Sequence, residues 1–316
     1  MDELLEMLMA TPPGERQNAA ARLEGARTDL RQACSEDRPE MARAALAAGA
    51  EPNLVDAFGE TPLGIAASRG SLGAIRELLS AGARVDQRGR RGWTPLLRAL
   101  SSMPCRAQDV CEALLRAGAD PTLRAQDACR ALAPDQLAQT GGLAAMWDDK
   151  EEGFDGDDAL RVALSAPTHE ASDVSAIARA LIAAGAGLDA ANREGVTPLM
   201  VAAAMGRAPE LEMLLEAGAD VSVRDVHGAD ALCRALAGGN EALAPALLRA
   251  GADPRVPCPG LWGESPCEWS RAHHAEDWLV RDLADRKAEL DAREEAEQIG
   301  RSAPVAAGDP RKAPRI

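Results

Sequence analysis

Gly59 to Ala83 reads GETPLGIAASRGSLGAIRELLSAGA, and its pattern returns along the chain at a nearly fixed period. Thr61 offers a hydroxyl to cap a helix. Pro62 follows at the first helical position, where a missing N–H costs nothing and φ is already helical. Leu63, Ile65, Ala66 and Ala67 make an apolar face, and Gly70 supplies the left-handed residue that ends a short helix. After a turn, Leu72, Ile75, Leu78 and Leu79 recur at helical spacing, so a second helix packs on the first until Gly82 closes it. Two short helices cannot bury their faces alone. Each unit needs neighbours on both sides, and stability comes from the stack.

The signature recurs as GWTPLLRAL with LLRAGADP between Gly92 and Pro121. It returns as GVTPLMVAAAMG with LLEAGAD from Gly195 to Asp220, and as GADALCRALAGG with LLRAGADP from Gly228 to Pro254. Gly59 to Gly92 and Gly195 to Gly228 both span about 33 residues, one period of this kind of array. With these motifs and this period the chain resembles an ankyrin repeat protein over most of residues 29–290. The resemblance implies an all-α solenoid of stacked helix-turn-helix units with hairpin loops, and a role in holding a protein partner. Where many members have His after Thr-Pro-Leu, this chain has Gly64, Leu97, Met200 and Cys233. The resemblance implies that such a His ties successive loops, so the loops here are expected to lack that tie.

Composition narrows the function classes. Fifty acidic against 35 basic residues leave a net charge of −15. That balance disfavours nonspecific attachment to nucleic acid or to an anionic membrane surface. No apolar stretch approaches the roughly 20 residues of a membrane span, and MDELLEMLMA at the N-terminus lacks the basic start of a secretory signal. Seven cysteines scattered over different repeats fit a reducing compartment, hence the cytoplasm. Abundant Arg and Ala with little Lys point to a GC-rich, bacterial source. A monomer is expected.

In chain order, residues 1–28 read as an N-terminal helical cap and 29–121 as repeats one to three, the first degenerate. Residues 122–156 lose the register and read as an acidic insertion or a degenerate repeat. Residues 157–257 are repeats four to six, with Asp158 and Asp230 standing where the capping Thr should be. Residues 258–299 form a capping repeat, with Ser265 and Pro266 at its start, and a charged helix. Residues 300–316 have the composition of a disordered tail. Ser101 to Ala107 adds a short surface insertion within the third repeat.

Motif searches for chemistry return nothing. The acidic run DDKEEGFDGDD, Asp148 to Asp158, fails as a calcium loop because Lys150 and Ala159 stand at its third and twelfth positions. Cys258 and Cys267 are too far apart for a zinc knuckle with His273 and His274. No phosphate loop, nucleophile elbow or zinc-protease helix occurs. No catalytic residue, cofactor or metal is expected. The acidic run can also pair with the arginines around Trp93 and mask them until a partner arrives.

Binding residues follow from the resemblance, which places partners at hairpin tips and on the concave first-helix face. Carried onto this sequence, the tips give Phe58 and Glu60, then Arg90, Arg91 and Trp93, then Phe154 and Asp157. Arg193, Glu194 and Val196 follow, and His227 comes last. First-helix positions add Ser68, Arg69, Arg98, Ser101 and Met205. Trp93 with its arginines is the composition enriched at hot spots; packing of Trp93 on a neighbouring hairpin is the equal alternative. The reading is a non-catalytic scaffold, adaptor or inhibitor of a protein partner. Two alternatives stand beside it: a bacterial effector delivered to another cell, and an enzyme with its site in residues 122–158.

Overall fold

The computed structural model describes residues 13–102, 106–125, 156–165, 171–258, 263–272 and 277–302. Its elements are short helices in antiparallel pairs. They are α1 (Pro13–Glu36) with α2 (Pro39–Ala47), α3 (Pro62–Arg69) with α4 (Leu72–Ser80), and α5 (Pro95–Ser102) with α6 (Ala107–Arg116). Further along come α7 (Ala159–Ser165) with α8 (Ala171–Ala183), α9 (Pro198–Ala204) with α10 (Ala208–Glu216), and α11 (Ala231–Ala237) with α12 (Ala244–Arg249). The array ends on α13 (Pro266–Ala272) and α14 (Asp277–Ser302). Inner helices α3, α5, α7, α9 and α11 pack in sequence as one layer, and α2, α4, α6, α8 and α10 form the outer layer. The all-α solenoid read from the repeats is the fold observed.

The local chemistry of the repeat is visible bond by bond. Thr61 Oγ1 accepts from the Gly64 amide at 3.0 Å, and Thr197 does the same for Met200 at 3.3 Å. Asp230 replaces Thr without loss of the cap, accepting from Cys233 N at 2.8 Å. Ser265 and Glu268 make a reciprocal capping box at the start of α13. Leu63, Ile75, Leu78, Leu96, Leu100, Leu160, Ile177 and Leu232 are sealed inside the stack, with alanines between them. Small residues let the helices approach closely, so a core can form with few aromatics.

Three findings depart from expectation. Pro13–Glu36 is one continuous helix whose buried face is Ala26, Leu30, Ala33 and Cys34, so residues read as cap and as first repeat share a single rod. Second, Cys233 on α11 and Cys258 on the hairpin before α13 form a disulfide, their Cα atoms 5.7 Å apart. This corrects the expectation of wholly reduced cysteines. The stack lays the start of one inner helix beside the hairpin that enters the next repeat, so partners 25 residues apart in sequence meet. The remaining described cysteines, Cys34, Cys111 and Cys267, are buried thiols. Burial pushes Cys34 and Cys111 up to about 12, so neither is a reactive thiolate.

The third departure concerns the insertion. In an ordinary hairpin Asp56 N donates to Glu60 O and Gly59 N donates to Asp56 O. The fourth hairpin keeps both bonds with Ala125 in the first role, Gly156 in the fourth position and Asp157 in the fifth. Ala125 and Gly156 therefore stand where Asp56 and Gly59 stand in the second hairpin, whose tip between them is Ala57 and Phe58. Phe154 and the acidic run up to residue 155 lie outside the described residues.

Candidate partner-binding edge

Each hairpin must hold its turn without a sheet on either side, and the chain does so in two ways. In the second, fifth and sixth repeats a side-chain oxygen closes the turn. Asp56 Oδ1 accepts from Phe58 N at 2.9 Å and Glu60 N at 2.8 Å. Asn192 Oδ1 accepts from Glu194 and Val196, both at 3.0 Å. Asp225 Oδ1 accepts from His227 and Ala229, both at 2.9 Å. Asp225 is also clamped by Arg234, whose Nε lies 3.0 Å from Oδ2. Burial works to raise the Asp225 carboxyl, but the Arg234 pair and the two amides leave it below the usual carboxylate range.

The third and fourth hairpins have Gly89 and Ala125 in that position, with no side-chain acceptor, and arginines take over. Arg88 Nη1 donates to Gly92 O and to Arg124 O, each at 2.9 Å, so one guanidinium joins the third hairpin to the fourth. Arg161 goes further. Its side chain is fully buried and donates to Asp157 Oδ1 at 2.7 Å, Gly156 O at 2.7 Å, Val196 O at 3.4 Å, and Ala190 O. It thereby ties the fourth hairpin to the fifth. Arg161 is the third residue after the cap Asp158, the position at which the family has its loop-tying His. The expectation that the loops lack that tie fails here, and it fails at Cys233, whose disulfide reaches Cys258 on the next hairpin. The signal was present as Asp158-Ala159-Leu160-Arg161 in place of Thr-Pro-Leu-His.

The expected binding residues sort by exposure. Phe58 is 55% exposed on its tip, with the Arg31 guanidinium 4.6 Å from the ring centroid on one face. Met205 at the end of α9 is 51% exposed and Val226 on the sixth tip 65%. Arg69, Arg193, Glu194 and His227 are exposed, and Val196 and Arg90 half-buried. Ser68 and Ser101 donate back to carbonyls of their own helices. Glu60 and Arg98 pair with each other, and Arg98 lies 5.8 Å from the Trp93 ring centroid. Trp93 itself is half-buried, packed in part against the core. Asp157 is buried against Arg161 and cannot touch a partner, a correction that follows from its place beside a cap rather than on a tip. Nothing in the sequence singles out Val226, which precedes His227 on the same tip.

The tips stand in register. A Cβ added to Gly59 would lie 3.4 Å from Cβ of Arg90, and one on Gly195 would fall 2.9 Å from Asp225 Cα. Both glycines also have positive φ, 80° and 79°. At Gly195 only a residue without a side chain lets the neighbouring hairpin approach this closely, whereas at Gly59 the added carbon would make an ordinary contact and the positive φ is what favours glycine. Among the described residues no group of three His, Cys, Asp or Glu could hold a metal ion, and no helix is long and apolar enough to cross a membrane. Cys258 is bonded to Cys233 in the disulfide.

A family model for ankyrin repeats, three copies per match, covers residues 30–125 and 145–258. The chain belongs to the ankyrin-repeat family. Ankyrin repeats are in general protein–protein interaction modules. Solved structures similar to it include the ankyrin repeat domain of human ASB11, with a TM-score of 0.58 and 21% identity over 81% of this chain and 96% of that one. The ankyrin repeat domain of Bcl-3, a member of the IkappaB family, has a TM-score of 0.57 and 22% identity, covering 81% and 97%. A chain from the complex of the Bdellovibrio bacteriovorus predatory endopeptidase Bd0816 with immunity protein Bd3460 has a TM-score of 0.53 and 25% identity, covering 70% and 97%. Among curated protein sequences none matches significantly.

Proposed function

We propose that this ankyrin-repeat protein is a non-catalytic binding module that holds a protein partner along its hairpin tips and the adjoining ends of its inner helices. The observation that carries the reading is the placement of Phe58, Met205 and Val226. All three are large apolar side chains, more than half exposed, set on turns or helix ends that internal hydrogen bonds already fix. Apolar groups on a preordered surface bind with little ordering cost. The described ends of the insertion favour this over an enzyme, because Asp157 and Asp158 are engaged by Arg161 rather than aimed into a cleft. The net charge of −15 favours protein over nucleic acid or membrane as partner.

Among binding modules, an inhibitor that masks a partner enzyme gains support from the 25% identical chain of the endopeptidase–immunity protein complex. The disulfide favours an oxidising compartment, or delivery to one, over the cytoplasm that the scattered cysteines suggested. The test is affinity capture from an extract of the source cells, comparing wild type with a Phe58→Ala, Met205→Ala, Val226→Ala triple variant. One protein held by wild type and lost by a folded variant supports the reading; a captured protein that all variants retain contradicts this site.

A further inference from the structure

Hydrogen bonds join most of the neighbouring hairpins. Arg88 ties the third to the fourth and Arg161 the fourth to the fifth, while the Val226 amide donates to Glu194 O at 2.8 Å and joins the sixth to the fifth. None of these ties depends on redox conditions. The junction with the seventh hairpin is built differently. There Cys258 takes the role that Asp225 has one repeat earlier, its N–H donating to Glu264 O at 2.8 Å and its carbonyl accepting from Gly263 N at 3.0 Å. The next residue is Pro259, which has no N–H, so the donor that Val226 supplies to the fifth hairpin is lacking at this position. The Cys233–Cys258 disulfide spans the junction instead. Cys233 is the third residue after the cap Asp230, the position from which Arg161 ties its own pair of hairpins.

Beyond that bond lies a unit with its own internal ties. Arg255 of the seventh hairpin donates to Asp291 at 3.0 Å and to Glu294 at 2.7 Å, so the hairpin grips α14. Cys267 on α13 donates its amide to Pro254 O at 3.3 Å and its thiol to Leu283 O at 3.4 Å, which joins α13 to the hairpin and to α14. The unit rests on the array by packing, α13 against α11 and α14 against α12, with Leu279 and Leu283 buried. A terminal unit has a neighbour on one side only, so its docking is the weakest in a stack.

We infer that the Cys233–Cys258 disulfide is a redox latch on this C-terminal unit. With the bond intact the seventh hairpin, α13 and α14 stay docked. With the bond reduced they open together from α11 and α12, while the repeats before them keep their structure. A small dithiol supplies the chemistry. One of its thiolates attacks a sulfur of the bond and expels the other cysteine as a thiolate, and its second thiol then displaces the mixed disulfide. Two electrons pass to the protein, the two cysteines end as thiols, and the dithiol ends as a cyclic disulfide. Both sulfurs belong to buried residues, so the attack follows an opening of the hairpin and leaves that opening without its covalent tie. The array therefore presents a latched end in an oxidising compartment and an open one in a reducing compartment. This inference does not rest on the binding-edge reading.

The experiment is hydrogen exchange with mass spectrometry on the full-length protein, oxidised and after treatment with dithiothreitol, beside a Cys233→Ala, Cys258→Ala variant. Reduction should speed exchange by about tenfold or more across residues 264–290 and leave 61–80 and 197–216 unchanged. The variant should exchange like the reduced protein with or without dithiothreitol, and reoxidation of wild type by glutathione disulfide should restore protection. The two wild-type arms decide the matter even if the variant does not fold. Unchanged protection at 264–290 on reduction would overturn the inference, because the unit then stays docked without the bond. Equal loss in the second and fifth repeats would overturn it too, since the bond would then support the whole array, as would a folded variant that still responds to reductant.

Discussion

The fifth and sixth hairpins and the third and fourth solve the same problem with different chemistry. In the fifth and sixth, Asn192 and Asp225 close the turn from within, each accepting two amides of its own hairpin. In the third and fourth, with Gly89 and Ala125 at the same position, Arg88 and Arg161 reach across to neighbouring repeats. An internal acceptor fixes one turn. An arginine fixes a turn and its neighbour together, whereas the fifth and sixth hairpins are joined through the backbone, Val226 N donating to Glu194 O at 2.8 Å, and the sixth repeat is tied to the hairpin after it by the Cys233–Cys258 disulfide.

The largest effect that would test this difference is at Arg161. Replacing it with Leu leaves Asp157 and Asp158 buried and unpaired and strips three carbonyls of their donor, so a loss of about 3–5 kcal/mol is expected in urea unfolding. Arg161→Lys should rescue little, because an ammonium cannot reproduce the planar fork, whereas Arg161→His should recover part through one ring N–H. Full stability of the Leu variant would break the comparison.

Next in size is the disulfide. Reduction, or Cys233→Ala with Cys258→Ala, should lower stability by about 2–4 kcal/mol, the usual range for such a loop. Alkylation and mass spectrometry of the denatured protein should find two further reactive thiols only after reductant is added. Equal labelling with and without reductant would refute the pairing.

A smaller contrast sets Asp225→Ala against Arg88→Ala. The first loses two amide bonds and leaves Arg234 without its acid, so about 2 kcal/mol is expected. Arg88 is half-buried and its two acceptors can turn to water, so about 1 kcal/mol should go. By NMR chemical shift the first should disturb the sixth hairpin and Glu194 of the fifth, which accepts from Val226 N, and the second both the third and the fourth.

The smallest effect is at the caps. Burial raises the Asp230 carboxyl above its ordinary 3.8. For a group raised in the folded state, the ionised form is penalised, and that penalty is absent below the unfolded value and complete above the folded one. Asp230→Thr keeps the cap without the charge. It should therefore be more stable than wild type at neutral pH by a few tenths of a kcal/mol, up to about 1. The gain should shrink as pH falls through the raised value toward 3.8, as thermal unfolding at several pH values would record.

Most of the fold was legible because the repeat writes its own punctuation. Thr61, Pro62 and Gly70 act locally, and each is found in its expected role, with Gly70 left-handed at φ 74°. Asp230 and Ser265 were readable as caps for the same reason. What escaped was long-range. Arg161 meets acceptors 29 and 35 residues away, and Cys233 meets Cys258 across the junction between repeats. Such partners follow from stacking, not from neighbours in sequence. Asp157 looked like a surface residue because tip position follows sequence offset only in an ordinary hairpin, whereas here it is buried against an arginine. Phe58 was legible, since nothing else in its turn could bury it.

Hydrogen exchange with mass spectrometry on wild type and Arg161→Leu tests the coupled-row account most directly. The account predicts slow exchange in wild type for the amides of Gly156 and Asn192, which sit in the fourth and fifth hairpin ladders, and for His227 and Ala229 in the sixth. In the variant, exchange should quicken across 156–158 and 190–196, and at Val226, whose amide donates to Glu194 O, while 227–229 stays protected. Unchanged exchange at the fourth and fifth hairpins, or equal loss at the sixth, would contradict it.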